Sequence, residues 1–241
     1  MTSERGSGRR EPGIPASSER GRSGPATESP RADRWSFGET PLDQTRELAA
    51  VLRDLMGTAL ALEHPTSELR DLIDDLRAAQ RRLAALGPTD LQPRIGDGDA
   101  AQRVYLDHSR DVGDYNACFP AFEMHAHDDR AEGRVTFPVV YEGPPGIVHG
   151  GFLALFFDCA LTQLNCDMGL AGKTRSLSVR YRRPAPILTE LEFAGERTVA
   201  EGSIVATGEL RLDGTVLCAA EMNAAIGDRG ALPAVSPRRL A

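Results

Sequence analysis

GIVHGGFLALFFDCAL, residues 146–161, joins a histidine and two glycines to an apolar segment that carries one aspartate in its interior. From Phe152 to Leu161 this segment is apolar on nearly every side of a helix, which predicts that a sheet wraps it. An unpaired carboxylate among Leu153, Leu155, Phe156, Phe157 and Leu161 costs on the order of several kcal/mol to bury. Asp158 therefore needs a partner or a task; the bland partners are the backbone or Thr162, one helical turn on. Gly150 and Gly151 sit where loop becomes helix, with the first helical N–H groups open. A carbonyl oxygen docked there would be polarised by those donors and by the positive end of the helix dipole, as in an oxyanion site for acyl transfer. At ~1.5 Å rise per residue, Asp158 lies ~10 Å along the helix from Gly151. The spacing favours a site shared across a dimer interface, with Gly151 of one copy opposite Asp158 of another.

Around this helix the sequence reads mostly as strand. FPAFEMHA (119–126) and GRVTFPVV (133–140) flank the polar turn HDDRAE, and residues 174–181 alternate, with Leu177, Val179 and Tyr181 on one face and Ser176, Ser178 and Arg180 on the other. Strands over 190–200, 203–212 and 215–226 follow, the last two joined by Asp213-Gly214, a strong hairpin signal. The expected architecture is α+β: two strands, a long apolar helix, then an antiparallel meander of four.

Residues 1–38, rich in Gly, Ser, Pro, Arg and Glu, have too little apolar surface to order themselves and are expected to be a disordered tail. Two amphipathic helices are expected over 39–87, forming a hairpin. In the first, Thr40 caps, Pro41 takes the first helical position and Leu48, Leu52, Leu55 and Leu62 make a stripe. In the second, Thr66 and Ser67 cap and Leu69, Leu72, Ile73, Leu76, Leu83 and Leu86 make the stripe before Gly87-Pro88. Such stripes are packing surfaces against the main domain, another subunit or a partner. Residues 88–101 read as a linker, 102–228 as the main domain and 229–241 as a disordered C-terminal tail.

The 241 residues carry a formal net charge of −7, which argues against a general nucleic-acid binder. Cys118, Cys159, Cys166 and Cys218 lack CxxC spacing, so neither a zinc site nor a disulfide framework is suggested, and Cys159 and Cys166 read as core thiols. His125 and His127 form an i, i+2 pair without a convincing third ligand, so no metal is expected. No apolar run approaches a membrane span, and a cytoplasmic protein is expected.

HGG followed by an aspartate nine residues after the histidine, a threonine sixteen further on (Thr174), a YxRP element (Tyr181 to Pro184) and a DG hairpin resembles the PaaI-like, HGG-type acyl-CoA thioesterases of the hot-dog fold, over about Tyr105 to Asp228. The resemblance implies a curved antiparallel sheet around a central helix and a homodimer or homotetramer with paired, intersubunit sites. It implies hydrolysis of an acyl-CoA without a cofactor, and the apolar helix face and aliphatic strands favour a fatty or aromatic acyl group. Asp158 takes the role of general base or nucleophile, and Gly151, with Gly150 beside it, that of carbonyl-polarising donor. His149 orients the thioester or braces the turn, and Thr174 bonds the carboxylate or the attacking water, or is an ordinary strand residue. Where other members have an asparagine six residues before the histidine, this chain has Gly143, within an EGPP variant that resembles the branch acting on longer acyl chains. Arg180, Arg182 and Arg183 are candidates for the coenzyme phosphates, against a solvated strand edge as the plain alternative. A non-catalytic acyl-CoA-binding hot-dog protein is the second reading. A hot-dog dehydratase is disfavoured because no Asp-x4-His occurs in the region.

Overall fold

Phe156 is the hub of the core in the computed structural model, which describes residues 36–96 and 102–239. Its ring meets Phe122, Phe137, Phe157 and Phe193 with centroids 5.2–5.8 Å apart, in edge-to-face arrangements. Phe156 lies on helix α4 (Gly150–Asp167), whose Leu153, Phe157, Ala160, Leu161 and Leu164 are also buried. One six-stranded antiparallel sheet encloses it, built from β3 (Phe122–His127), β4 (Arg130–Thr136), β5 (Gly172–Tyr181), β6 (Glu190–Ala200), β7 (Ser203–Leu212) and β8 (Thr215–Ile226). The strand order is β3-β4-β6-β7-β8-β5, so β5, although it follows α4 directly, forms one edge.

The wrapping expected from the helix's all-round apolarity is present. Gly195 on β6 faces Gly208 on β7. A Cβ at Gly208 would stand 2.9 Å from the Phe193 ring, 3.3 Å from Leu161 and 3.4 Å from Phe157. The absent side chain is what lets the helix and the Phe193 ring share that space.

β6, β7 and β8 occupy the expected ranges, and Asp213-Gly214 turns with φ of 49° and 73°. The first hairpin is tighter than expected. Asp128 and Asp129, at φ 48° and 62°, make a two-residue turn, so His127, Arg130, Ala131 and Glu132 of the expected polar turn belong to the ladder. The positive φ that both central residues need is tolerated by aspartate, which the turn uses twice in place of glycine.

Before the domain come α1 (Asp43–Leu60) and α2 (Ser67–Ala84), followed by a short parallel pair, β1 (Asp90–Pro93) with β2 (Gln102–Arg103), and by one helical turn, α3 (Val112–Tyr115). α1 starts later than expected. Leu42, not Thr40, occupies its N-cap, without a side-chain bond. Its domain-facing side takes only part of the leucine stripe, since Leu52 and Leu55 are half-buried while Leu62 lies past the helix end. Ala49 and Arg53 are buried there, while Leu48 and Val51 face solvent. The guanidinium of Arg53 explains the choice: it donates to the Tyr141 hydroxyl (3.2 Å) and to the carbonyls of Gly113 and Phe119, bonds that a leucine cannot make. α2 is capped by Thr66, as expected, but buries none of its residues and does not pack along α1, so the two helices are consecutive without forming a packed hairpin.

Residues 229–239, expected as a free tail, run back along the segment after α2. Ile95 bridges Val235, and Arg94 donates to the carbonyl of Pro237. Residues 1–35 of the expected tail, 97–101 of the expected linker and 240–241 lie outside the described residues. No helix among the described residues is long and apolar enough to cross a membrane.

Replacing Gly208 by alanine is expected to destabilise the fold by about 1–3 kcal/mol through overpacking against Phe193 and α4. A thermal or denaturant melt of the variant measures it, and an unchanged midpoint would refute the close-approach reading.

Candidate active site

His149 occupies the N-cap of α4 in extended conformation, and its Nδ1 accepts from the Gly151 N–H at 3.0 Å. Histidine is an uncommon cap, but an unprotonated ring nitrogen satisfies the same orphan donor that Ser or Asp would. The next N–H, of Phe152, is taken by the His149 carbonyl at 2.9 Å. This leaves Gly150: among the described hydrogen bonds none uses its N–H. Gly151 is the carbonyl-polarising donor that the sequence leads one to expect, with Gly150 beside it; the cap engages Gly151 and leaves Gly150 as the open donor of the first turn.

The turn leading into the helix is pinned at several points. The His149 N–H donates to the carbonyl of Tyr141 at 2.9 Å, Val148 N–H donates to Ala185, and the Glu142 carboxylate accepts from Gly146 N–H at 2.6 Å. From the end of β5 the Tyr181 hydroxyl donates to the Gly150 carbonyl at 2.8 Å. Tyr181, Tyr141 and Glu142 hold the helix start in place, a part that the sequence alone does not assign to them. The available signal for Tyr181 is the YxRP element itself, which marks a tyrosine at the end of β5 that can reach α4.

Asp158 lies two helical turns further on and is partly exposed. Its Oδ1 accepts from the Thr174 hydroxyl at 3.1 Å. Strict alternation would place Thr174 with Ser176 and Ser178, away from the helix. A bulge reverses this. Thr174 lies opposite Ala224 and Leu177 opposite Met222, with Arg175 as the extra residue between them, so Thr174 and Leu177 both face α4. Thr162, the alternative partner on the helix, lines the same pocket without a described bond to Asp158.

That pocket, about 260 Å³, is bounded by Asp158, Cys159 and Thr162 on α4 and by His108, Val112 and Phe119 on the segment before β3. The segment is tied down by a reciprocal pair, in which Asp111 N–H donates to Gln163 Oε1 and Gln163 Nε2 to Asp111 Oδ1, and by Arg110, which binds Asp167 and the Cys166 carbonyl. Burial, and then the adjacent Asp158 charge, pushes the Cys159 thiol up to about 12, so it stays protonated and is no nucleophile at neutral pH. Burial and Arg103 hold His108 below its ordinary value.

One chain does not bring all the candidates together. Neither Gly150 nor Gly151 lines the Asp158 pocket. Arg180 and Arg182 line a trough of about 700 Å³ on the outer face of the sheet, on the opposite side of β5 from Thr174, among Glu132, Glu196, Glu209 and Glu221. Arg182 and Arg183 border Thr215 and Val216. Among the described residues no cluster of His, Cys, Asp or Glu has the geometry to hold a metal ion.

No protein-family model matches the chain. Among solved structures it is similar to a thioesterase superfamily protein, with 27% identity and a TM-score of 0.64 over 78% of this chain and 98% of that one. It is similar also to a putative thioesterase, a phenylacetic acid degradation-related protein of Ralstonia eutropha JMP134 (22% identity, TM-score 0.40, 43% and 83% covered). A hypothetical thioesterase of Streptococcus pneumoniae TIGR4, solved with coenzyme A, is a further likeness (19%, 0.42, 44% and 87%). The first of these establishes the α+β hot-dog fold, and its 78% exceeds the span of 102–228, so the likeness extends beyond the sheet and α4.

Replacing His149 by alanine is expected to cost about 1 kcal/mol of stability through loss of the cap, whereas asparagine keeps most of it. Paired melts of the two variants decide, and equal destabilisation by both would count against the capping role.

Proposed function

We propose that this hot-dog chain hydrolyses an acyl-CoA thioester to the free acid and coenzyme A. The observation that carries the reading is the Asp158 carboxylate held by a single neutral donor, Thr174, at the side of a pocket, on the same helix whose first turn has an open N–H at Gly150. In this reaction Asp158 takes a proton from water as the water oxygen attacks the thioester carbon. The carbonyl oxygen, turning into an alkoxide, is stabilised by the Gly150 N–H and the helix dipole. On collapse the C–S bond breaks, and the proton held by Asp158 passes to the leaving thiolate. A direct attack by the carboxylate, through an anhydride that water then cleaves, uses the same residues.

The two halves of the site come from different copies of the chain in this proposal. Gly150 and Asp158 do not share a pocket within one chain, and β5, which carries Thr174, is an open sheet edge available to a second copy. The assembly is then a homodimer or homotetramer. The aromatic and aliphatic lining of the helix favours a fatty or aromatic acyl group, and Arg180, Arg182 and Arg183 remain the candidates for the coenzyme phosphates. Their place on the outer face of the sheet requires that the coenzyme cross β5 or meet them on another copy.

Asp158→Asn keeps the Thr174 contact but removes the base. It is expected to lower kcat by about 10²–10⁴-fold on a panel from acetyl- to palmitoyl-CoA with benzoyl- and phenylacetyl-CoA, followed by thiol release. Turnover that survives the change would sink the mechanism. Tight acyl-CoA binding without turnover by the wild-type chain would select the non-catalytic reading instead.

A further inference from the structure

α2 is the one long helix of the described residues with no buried side chain and no element packed along it, yet it is strongly two-faced. Leu69, Leu72, Leu76, Ala79 and Leu83 on α2, and Leu86 two residues past its end, repeat at alternating steps of three and four, the a and d positions of a heptad. Leu76, Leu83 and Leu86 are 42%, 59% and 85% exposed. Leucines so exposed along one stripe mark an interaction surface, and α1 does not cover it.

The charges identify the occupant. The first half of α2 carries Glu68, Asp71, Asp74 and Asp75 with one arginine; the second half carries Arg77, Arg81 and Arg82 and no carboxylate. This polarity suits the helix dipole, but it also makes the helix complementary to itself when reversed. In an antiparallel pair, a positions meet d positions. The register that uses the whole stripe then stacks Leu69 on Leu86, Leu72 on Leu83 and Leu76 on Ala79 of the other copy, each contact occurring twice by symmetry. The same register sets Asp75, at a flanking g position, beside Arg82 of the other copy, also twice. A parallel pair would set Glu68 beside Ile73 and Asp75 beside Gln80, with no opposite charges joined.

We propose that α2 is a self-association surface, pairing antiparallel with α2 of a second copy of this chain through the leucine stripe and two Asp75–Arg82 contacts. The proposal stands apart from the catalytic reading, since α2 contributes nothing to the Asp158 pocket. An isologous contact of this kind closes on itself and adds one pairing step to whatever the sheet edge contributes.

The test uses complementary charge reversals in the full-length chain. Asp75→Arg alone brings two arginines together at each contact, and Arg82→Asp alone brings two aspartates together. Mixing the two variants restores opposite charges in the mixed pair, where one contact joins the two native residues and the other the two replacements. The Asp75→Arg copy offers two cations and the Arg82→Asp copy two anions, so every facing pair is oppositely charged. Sedimentation equilibrium is expected to show self-association weakened about tenfold or more in each variant alone and restored to the wild-type level in the equimolar mixture, with far-UV circular dichroism unchanged. Leu76→Asp, at the centre of the stripe, is expected to weaken association in every mixture. Wild-type association by each reversal alone, or a mixture that behaves as the sum of its parts, would overturn the proposal. So would a Leu76→Asp chain that assembles like wild type.

Discussion

Enclosure of α4 is the constraint on which the rest of the structure depends. A helix that is apolar on every side through its middle cannot lie on a surface, and its burial around Phe156 obliges one sheet to curve about it. At Gly208 the missing side chain is what lets the sheet approach Leu161 and Phe157 of α4. Polar chemistry is then confined to the two ends of α4 and to the side near the β5 edge. His149 closes the first end, and the second is closed by Arg197, which donates to the carbonyls of Asn165 and Met168, together with Arg110 on Cys166. What this leaves open on α4 is the Gly150 N–H at its start and the Asp158 carboxylate on the side near β5.

Among the described contacts Asp158 has one hydrogen-bond donor, Thr174, and no ion pair. A carboxylate paired with an arginine is a poor proton acceptor, because the cation stabilises the charged form. Arg110 borders the same pocket, yet its guanidinium is held 2.5 Å from Asp167 and 3.9 Å from Asp107, so its charge is already matched. Thr174 gives a single neutral hydrogen bond that orients Asp158, and the Arg175 bulge that aims it costs one irregular residue on an edge strand, where such irregularity is cheapest.

The central helix, the last three strands and the Asp213-Gly214 turn are legible from periodicity and turn chemistry, because burial on one face or on all faces leaves a direct mark on residue order. The features that position the site are less so. Thr174-Arg175-Ser176 is polar throughout, so alternation cannot register an inserted residue there, and the bulge is visible only in the pairing with β8. α1 misleads in the opposite direction: its leucine stripe is real, but the domain offers carbonyls of Gly113 and Phe119 and the Tyr141 hydroxyl, and these select Arg53 over leucine. The glycine pair of HGG marks the helix start, where Gly151 is engaged by His149. Which glycine stays open depends on a side-chain bond of His149 that no propensity scale favours.

That bond also bears on who can move a proton. Nδ1 of His149 is an acceptor toward Gly151, so a neutral ring carries its hydrogen on Nε2, and a protonated ring would give up the cap. A histidine that must keep Nδ1 bare to hold the helix start has one nitrogen left, already a donor, and is ill suited to take a proton from water. Cys159, beside Asp158, is held protonated by burial. Of the three groups near the start and middle of α4 that could accept the proton in the proposed hydrolysis, the structure thus occupies one and silences another. Asp158 is the acceptor that remains, and the aspartate inside an apolar helix costs least as one that a substrate and a second chain would complete.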